Sequence, residues 1–437
     1  MVLSRHNITG RLKGSEGSFI INPLSRSADL LSPERAGELA SGAFSNPREL
    51  AEKGYLVEPD EETRNFRAAY LDFLDSRDHG QTQLFFVPWY SCNFACPYCY
   101  QEGYAAQSGS LGDEVSEVFF RYVEKEFAGR SVYVTLFGGE PLLPGDRARK
   151  SIQKFLDAAA AQSLSVAVVT NGYMLRDYLE TLQRATIREV QVTLDGVGSL
   201  HDRRRPLRGG LPTFQPIVDG VDEALKRGIP INLRVVLDRE NIHGLPELAR
   251  FARDRGWTGN PLFKTQLGRN YELHTCQADP GRLYTRVELY RELFTLASQH
   301  PEVLEFHRPA FSLAKFLWEN GELPAPLFDS CPGCKTEWAF DYTGRIYSCT
   351  ATVGKVGDEL GTFYPRVSRR DDLIDEWQQR DVTSIPECRA CNLQLACGGG
   401  CAAVARNREG RLNAPDCRPV KELLEMGMSL YFGKEQE

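Results

Sequence analysis

Between about Gln83 and Phe306, short apolar runs alternate six times with longer amphipathic ones. Strand-type runs that repeatedly give way to helical periodicity mark βαβ units. Their strands lie parallel because each crossover helix carries the chain back to the same end of the sheet. The expected strands are Leu84–Pro88, Val132–Leu136, Val166–Thr170, Glu189–Leu194, Ile231–Val236 and Leu262–Gln266. The expected helices are Asp113–Phe127, Arg147–Gln162, Leu175–Arg184, Phe214–Arg227, Leu245–Arg255 and Leu283–Gln299. The fold class is therefore α/β, a partial (β/α)6 barrel of the TIM type, with chemistry in the loops after the strands.

The loop after the first strand reads Cys92-Asn-Phe-Ala-Cys96-Pro-Tyr-Cys99. Iron–sulfur cubanes normally take four thiolates; three at this spacing hold three irons and leave the fourth open to another ligand. Zinc, by contrast, usually closes a four-ligand tetrahedron. Eight more cysteines crowd the last quarter of the chain: Cys331, Cys334, Cys349, Cys388, Cys391, Cys397, Cys401 and Cys417. Eight thiolates are the ligand count of two fully coordinated [4Fe–4S] clusters. On Cys-x2-Cys spacing alone, paired zinc ribbons remain open. A disulfide framework is disfavoured in a long chain whose start, Met-Val-Leu-Ser-Arg-His, is not a signal sequence. Cys276, in a turn-rich segment, reads as an incidental thiol.

The three-cysteine loop resembles that of the radical S-adenosylmethionine (SAM) superfamily. The resemblance implies that the open iron chelates SAM, which an electron cleaves to a 5′-deoxyadenosyl radical. Phe137-Gly138-Gly139-Glu140-Pro, after the second strand, looks like the family's GGE motif, whose backbone and carboxylate hold the SAM amino group. Thr170-Asn171 and Asp195, ending the third and fourth strands, offer polar groups to the ribose and methionine parts; Asp195 reads equally as an Asp-Gly turn former. In relatives an arginine four residues after a histidine pairs with the SAM carboxylate, which matches Arg205 after His201, although Arg203 and Arg204 blur the register. The C-terminal cysteines resemble the SPASM extension with two auxiliary clusters. That pattern assigns Cys331, Cys334, Cys349 and Cys401 to one cluster, and Cys388, Cys391, Cys397 and Cys417 to the other.

The expected domains are an N-terminal α+β segment (1–80), a radical SAM core (81–308) and a SPASM domain (309–437). In the first, Ser18–Ile21 is an expected strand, Ser32 and Asn46 start helices, Gly54-Tyr-Leu-Val forms a strand, and Arg64–Arg77 is a long helix. It resembles loosely the winged-helix element with which peptide maturases bind a leader peptide as an added strand; a structural cap on the open barrel is the equal alternative. A formal charge of −7 speaks against nucleic acid as a partner, and no apolar run approaches the roughly 18 residues of a membrane span. Labile clusters point to the cytoplasm. The resemblance implies three [4Fe–4S] clusters, SAM and an electron donor such as a flavodoxin or ferredoxin. It implies an enzyme abstracting hydrogen from a residue of a ribosomally made precursor peptide, to give a cross-linked or otherwise oxidised product. The alternatives are an anaerobic sulfatase maturase forming formylglycine, and an iron–sulfur electron carrier. No catalytic acid or base is identified.

Overall fold

The computed structural model describes residues 1–101, 109–269 and 281–433; Cys276 lies outside them. The first segment comprises β1 (Val2–Leu3), β2 (Ile8–Arg11), β3 (Ser18–Asn22), β4 (Ser27–Leu31), α1 (Pro33–Ser41), α2 (Pro47–Glu52), β5 (Leu56–Val57) and α3 (Pro59–Asp78). Ser32 and Asn46 cap α1 and α2 by accepting the backbone N–H groups of Arg35 and Glu49, with prolines at the first helical positions as expected. β2, β3 and β4 form an antiparallel meander, of which only β3 was legible. Its Phe19, Ile20 and Ile21 are all buried, whereas the flanking strands alternate too weakly to announce themselves.

The barrel strands are β6 (Thr82–Val87), β7 (Val132–Leu136), β8 (Val166–Thr170), β9 (Ile187–Thr193), β10 (Ile231–Leu237) and β11 (Phe263–Arg269), all parallel and in sequential order. Between them run α4 (Asp113–Glu126), α5 (Asp146–Ala161), α6 (Leu175–Leu182), the short α7 (Ser199–Arg204), α8 (Phe214–Lys226) and α9 (Leu245–Asp254). The outer core is aromatic where β6 meets α4 and α5: Phe86 lies 4.6 Å from Phe119 and 4.9 Å from Phe155, ring centre to ring centre.

After α10 (Arg286–Gln299), α11 (Pro301–Phe306) and α12 (Ala314–Asn320), the chain returns to the sheet. β12 (Glu337–Asp341) adds parallel to β6, and β13 (Arg345–Tyr347), β14 (Gly361–Thr362) and β15 (Ser368–Arg369) continue antiparallel, making one ten-stranded sheet. The sheet therefore runs across the boundary expected at 308/309. An open barrel leaves an unpaired strand edge, and β12 satisfies the backbone of β6. Five helices complete the chain: α13 (Asp371–Gln378), α14 (Pro386–Arg389), α15 (Gln394–Cys397), α16 (Ala402–Glu409) and α17 (Val420–Phe432).

The N-terminal segment docks on this last region. Phe66, Tyr70 and Phe73 of α3 surround Phe328, which packs with Val382, Ile385, Cys388 and Leu395. The Tyr70 hydroxyl donates to Asp381 at 2.6 Å. Among the described residues no helix is long and apolar enough to cross a membrane.

Candidate active site

A cavity of about 690 Å³ fills the barrel at the strand ends. Cys92, Cys96 and Cys99 line it, together with Gly138, Gly139, Thr170, Asn171 and Arg205. Backbone packing binds these loops to one another. Gly139 N–H donates to the carbonyl of Trp89 at 3.3 Å and Glu140 N–H to that of Ser91 at 2.9 Å. A Cβ on Gly139 would stand 2.2 Å from the Ser91 oxygen, so only glycine allows the second loop this close to the cysteine loop. Asn171 Nδ2 donates to Asn93 Oδ1 at 2.8 Å, Ala95 N–H to Pro206 O at 2.9 Å and Arg208 N–H to Asn93 O at 2.8 Å. The loops after β7, β8 and β9 thus hold the cysteine loop that follows β6. Burial pushes the Cys92 thiol up to about 12 and raises that of Cys96, which the nearby Arg205 cation partly offsets.

Two of the seven residues expected at SAM stand behind the cavity wall. Glu140 is buried, its carboxylate accepting from Thr170 Oγ1 (2.6 Å), Asn171 N–H (2.6 Å) and Leu142 N–H (2.8 Å). Burial raises its carboxyl to about 6. It ties the second strand end to the third, and Thr170 and Asn171 face the cavity in its place. Asp195 is likewise buried, accepting from the Tyr98 hydroxyl and, at 2.9 Å, from Val236 N–H.

The three adjacent arginines separate cleanly. Arg203 is exposed. Arg204 is consumed by Asp238, with a bond of 2.7 Å and another of 2.9 Å, and by Glu240 at 2.9 Å. Of the three, only Arg205 lines the cavity, where its Nη1 donates to Tyr98 at 2.6 Å and its buried Nε has no partner among the described residues. Tyr98, the residue before Cys99, was not anticipated. Contacts about a hundred residues away in sequence, with Asp195 and Arg205, give its hydroxyl a role.

The C-terminal thiols fall into two neighbourhoods. Cys331, Cys334 and Cys349 are buried, and Cys401 is half-buried. Burial raises all four thiols; Cys349 and Cys331 raise Cys334 further, and Cys331 and Cys401 raise Cys349. Around Cys388, burial together with Cys397, Cys391 and Cys417 pushes the thiol up to about 11. Like charges influence each other in this way only when close. Arg380, buried between the two groups, donates to the carbonyls of Gly399, Gly400, Leu412 and Ala414, fixing the turns that carry Cys401 and Cys417. Among the described residues, no three of His, Cys, Asp and Glu lie close enough to hold a single metal ion.

The profile of the Radical SAM superfamily matches residues 86–252. A probable GTP 3′,8-cyclase of Methanopyrus kandleri is 31% identical over 312 residues, which are 67% of this chain and 90% of that protein. The serine-type anaerobic sulfatase-maturating enzyme of Bacteroides thetaiotaomicron is 24% identical over 381 residues, 78% of this chain and 86% of that one. The structure of Streptococcus suis SuiB bound to precursor peptide SuiA shares the fold, with a TM-score of 0.53 at 16% identity over 96% of this chain and 99% of that chain. The barrel, its loop of three cysteines and these relatives agree, and the chain belongs to the radical SAM superfamily, whose enzymes work with SAM and a [4Fe–4S] cluster.

Proposed function

We propose that this chain is a radical SAM maturase acting on a residue of a ribosomally made precursor peptide. The observation that carries the reading is one continuous cavity, walled at one side by Cys92, Cys96 and Cys99 and at another by Thr350 and Ala351, the residues after Cys349. A substrate seated there touches the radical-generating loop and lies beside the first C-terminal cysteine group. The precursor peptide bound by SuiB, and the near-complete coverage of this chain by that fold, support a peptide substrate.

The residues present fit the cofactors. Three thiols on one loop, too widely spaced for a single ion, suit an iron–sulfur cube. Arg205 Nε and Gln101 Nε2, unpartnered among the described residues, supply donors, and Gly138 and Gly139 line the same cavity. When bound, the cluster and SAM supply a radical at the SAM 5′ carbon that abstracts hydrogen. Cys92, Cys96 and Cys99 hold three irons. Arg205 pairs with the SAM carboxylate, and Tyr98 and Asp195 hold its guanidinium in place. Gly138, Gly139, Thr170 and Asn171 line the SAM contact, and Glu140 orients the last two. Cys331, Cys334, Cys349 and Cys401 hold one auxiliary cluster, and Cys388, Cys391, Cys397 and Cys417 the second. Residues 1–80, 81–308 and 309–437 divide the labour as leader-peptide element, SAM core and auxiliary domain. A flavodoxin or ferredoxin in the cytoplasm supplies electrons.

Cys92→Ala should abolish 5′-deoxyadenosine formation in the reconstituted full-length protein; retained cleavage would refute the assignment. An anaerobic pull-down read by mass spectrometry tests the substrate. Retention of a short peptide supports the maturase. Retention of a sulfatase instead moves the reading to formylglycine formation, which the Bacteroides relative favours.

A further inference from the structure

Five charged side chains face the barrel cavity besides its cysteines: Glu189, Arg205, Arg234, Lys264 and Arg269. Glu189, the one carboxylate lining it among the described residues, is already matched. It is ion-paired with Lys264 and accepts from Asn232 Nδ2 at 3.2 Å. Arg269 donates to the Tyr284 carbonyl at 2.6 Å, and Arg205 is engaged by Tyr98. That leaves Arg234.

Arg234 lies on β10, where Asn232, Arg234 and Val236 point into the cavity and the alternate residues are buried outside it. Its Nε is buried without a hydrogen-bond partner among the described residues. Its guanidinium lies across the neighbouring strand at Gly268, where a Cβ would come within 3.3 Å of Nη2 and 3.4 Å of Nε. The glycine makes the space and β11 sets the position. Two residues earlier, Asn232 Oδ1 is also buried and unpartnered. Its orientation is not ambiguous, because the Glu189 carboxylate requires the amide NH2 on its side.

Arg234 is half-buried with its Nε sealed from solvent; leaving a buried donor of a charged group unmatched is costly, and a guanidinium is the side chain best shaped for two-pronged binding of a carboxylate. We infer that Arg234 receives a carboxylate of the substrate, with Asn232 Oδ1 accepting an N–H from the same segment. The segment entering the barrel then carries an acidic side chain or ends in a free C-terminus. This deepens the proposed function and rests on its peptide reading.

The test uses iron-reconstituted, SAM-loaded full-length protein. It is incubated anaerobically with an equimolar mixture of N-acetylated heptapeptides whose central residue is Asp, Glu, Asn or Gln. Each peptide is supplied both as a C-terminal amide and as a free acid, and retained peptides are quantified by mass spectrometry. The acidic members should be enriched over their amides by about tenfold or more. Arg234→Gln should bring that ratio close to one, and Arg234→Lys should restore part of it. A general loss of folding lowers both members of a pair and leaves the ratio alone. Enrichment of free acids whatever the central residue identifies the C-terminus as the source of the carboxylate. A ratio near one for both comparisons in the unaltered protein, or a ratio that survives Arg234→Gln, overturns the role of Arg234 and leaves the peptide reading standing. Retention of no peptide by any form overturns both.

Discussion

The two C-terminal cysteine groups are held by different parts of the molecule. Cys331, Cys334 and Cys349 are 6, 0 and 8% exposed, and the hairpin of β12 and β13, an extension of the barrel sheet, carries the segment between Cys334 and Cys349. Cys388, Cys391 and Cys397 sit on or beside two four-residue helices, Cys417 is exposed, and the apolar backing of Cys388 includes α3 of the N-terminal segment. One group inherits the rigidity of the central sheet; the other depends on a contact between chain ends more than three hundred residues apart. Very short helices have little stability of their own, so the second group should be the more easily disturbed from outside and the first the more costly to disturb from within.

The sharpest contrast is between Cys349→Ala and Cys391→Ala. Both should lower iron content by about a third, the share of one cluster among the three proposed. Only the former opens a defect beneath the main sheet, so it should also lower the unfolding midpoint and soluble yield. Equal stability of the two variants would erase the distinction. Next comes Phe328→Ala, which removes a fully buried ring from the contact with α3 and should cost about 3–5 kcal/mol. Iron release to a chelator should become biphasic, with one cluster's worth lost early; uniform acceleration would mean that the groups are not mechanically separate.

The smallest effect concerns pH. His6 is buried and stacks on Phe66 at 5.5 Å, and burial with the adjacent Arg5 lowers it from 6.5 to about 4. The folded state thus prefers the neutral ring, while the unfolded chain takes up a proton below 6.5. Its stabilising contribution is complete above pH 6.5 and is lost as pH falls toward 4. Protection factors for hydrogen exchange in α3, relative to intrinsic rates at each pH, should fall between pH 7 and 5 in the unaltered protein, and much less so in His6→Gln. Identical pH profiles would remove His6 from the docking contact.

Much of the molecule was legible because its signals are local. β7 and β8 have the expected limits, and the other barrel strands differ by one to three residues at their ends. The caps at Ser32 and Asn46 fall as read. The orientation of polar side chains was less legible. Glu140 and Asp195 lie on loops at the strand ends around the cavity, yet their carboxylates turn to Thr170, Asn171, Tyr98 and Val236 instead of the cavity. Buried carboxylates take whichever donors the assembled fold presents, and no spacing along the chain specifies those.

The sequence by itself determined the alternation that builds the barrel, the loop of three cysteines after its first strand, and the stock of eight further thiols. All of these follow from periodicity and ligand count over a few dozen residues. Only the tertiary structure decided that β12 closes against β6, that the N-terminal helix supports the second cysteine group, that Arg205 and not its neighbours faces the cavity, and that Arg234 Nε has no partner there among the described residues. Those outcomes turn on which distant segments supply backbone edges, apolar faces and counter-charges. That competition is settled by packing and desolvation once the chain is folded.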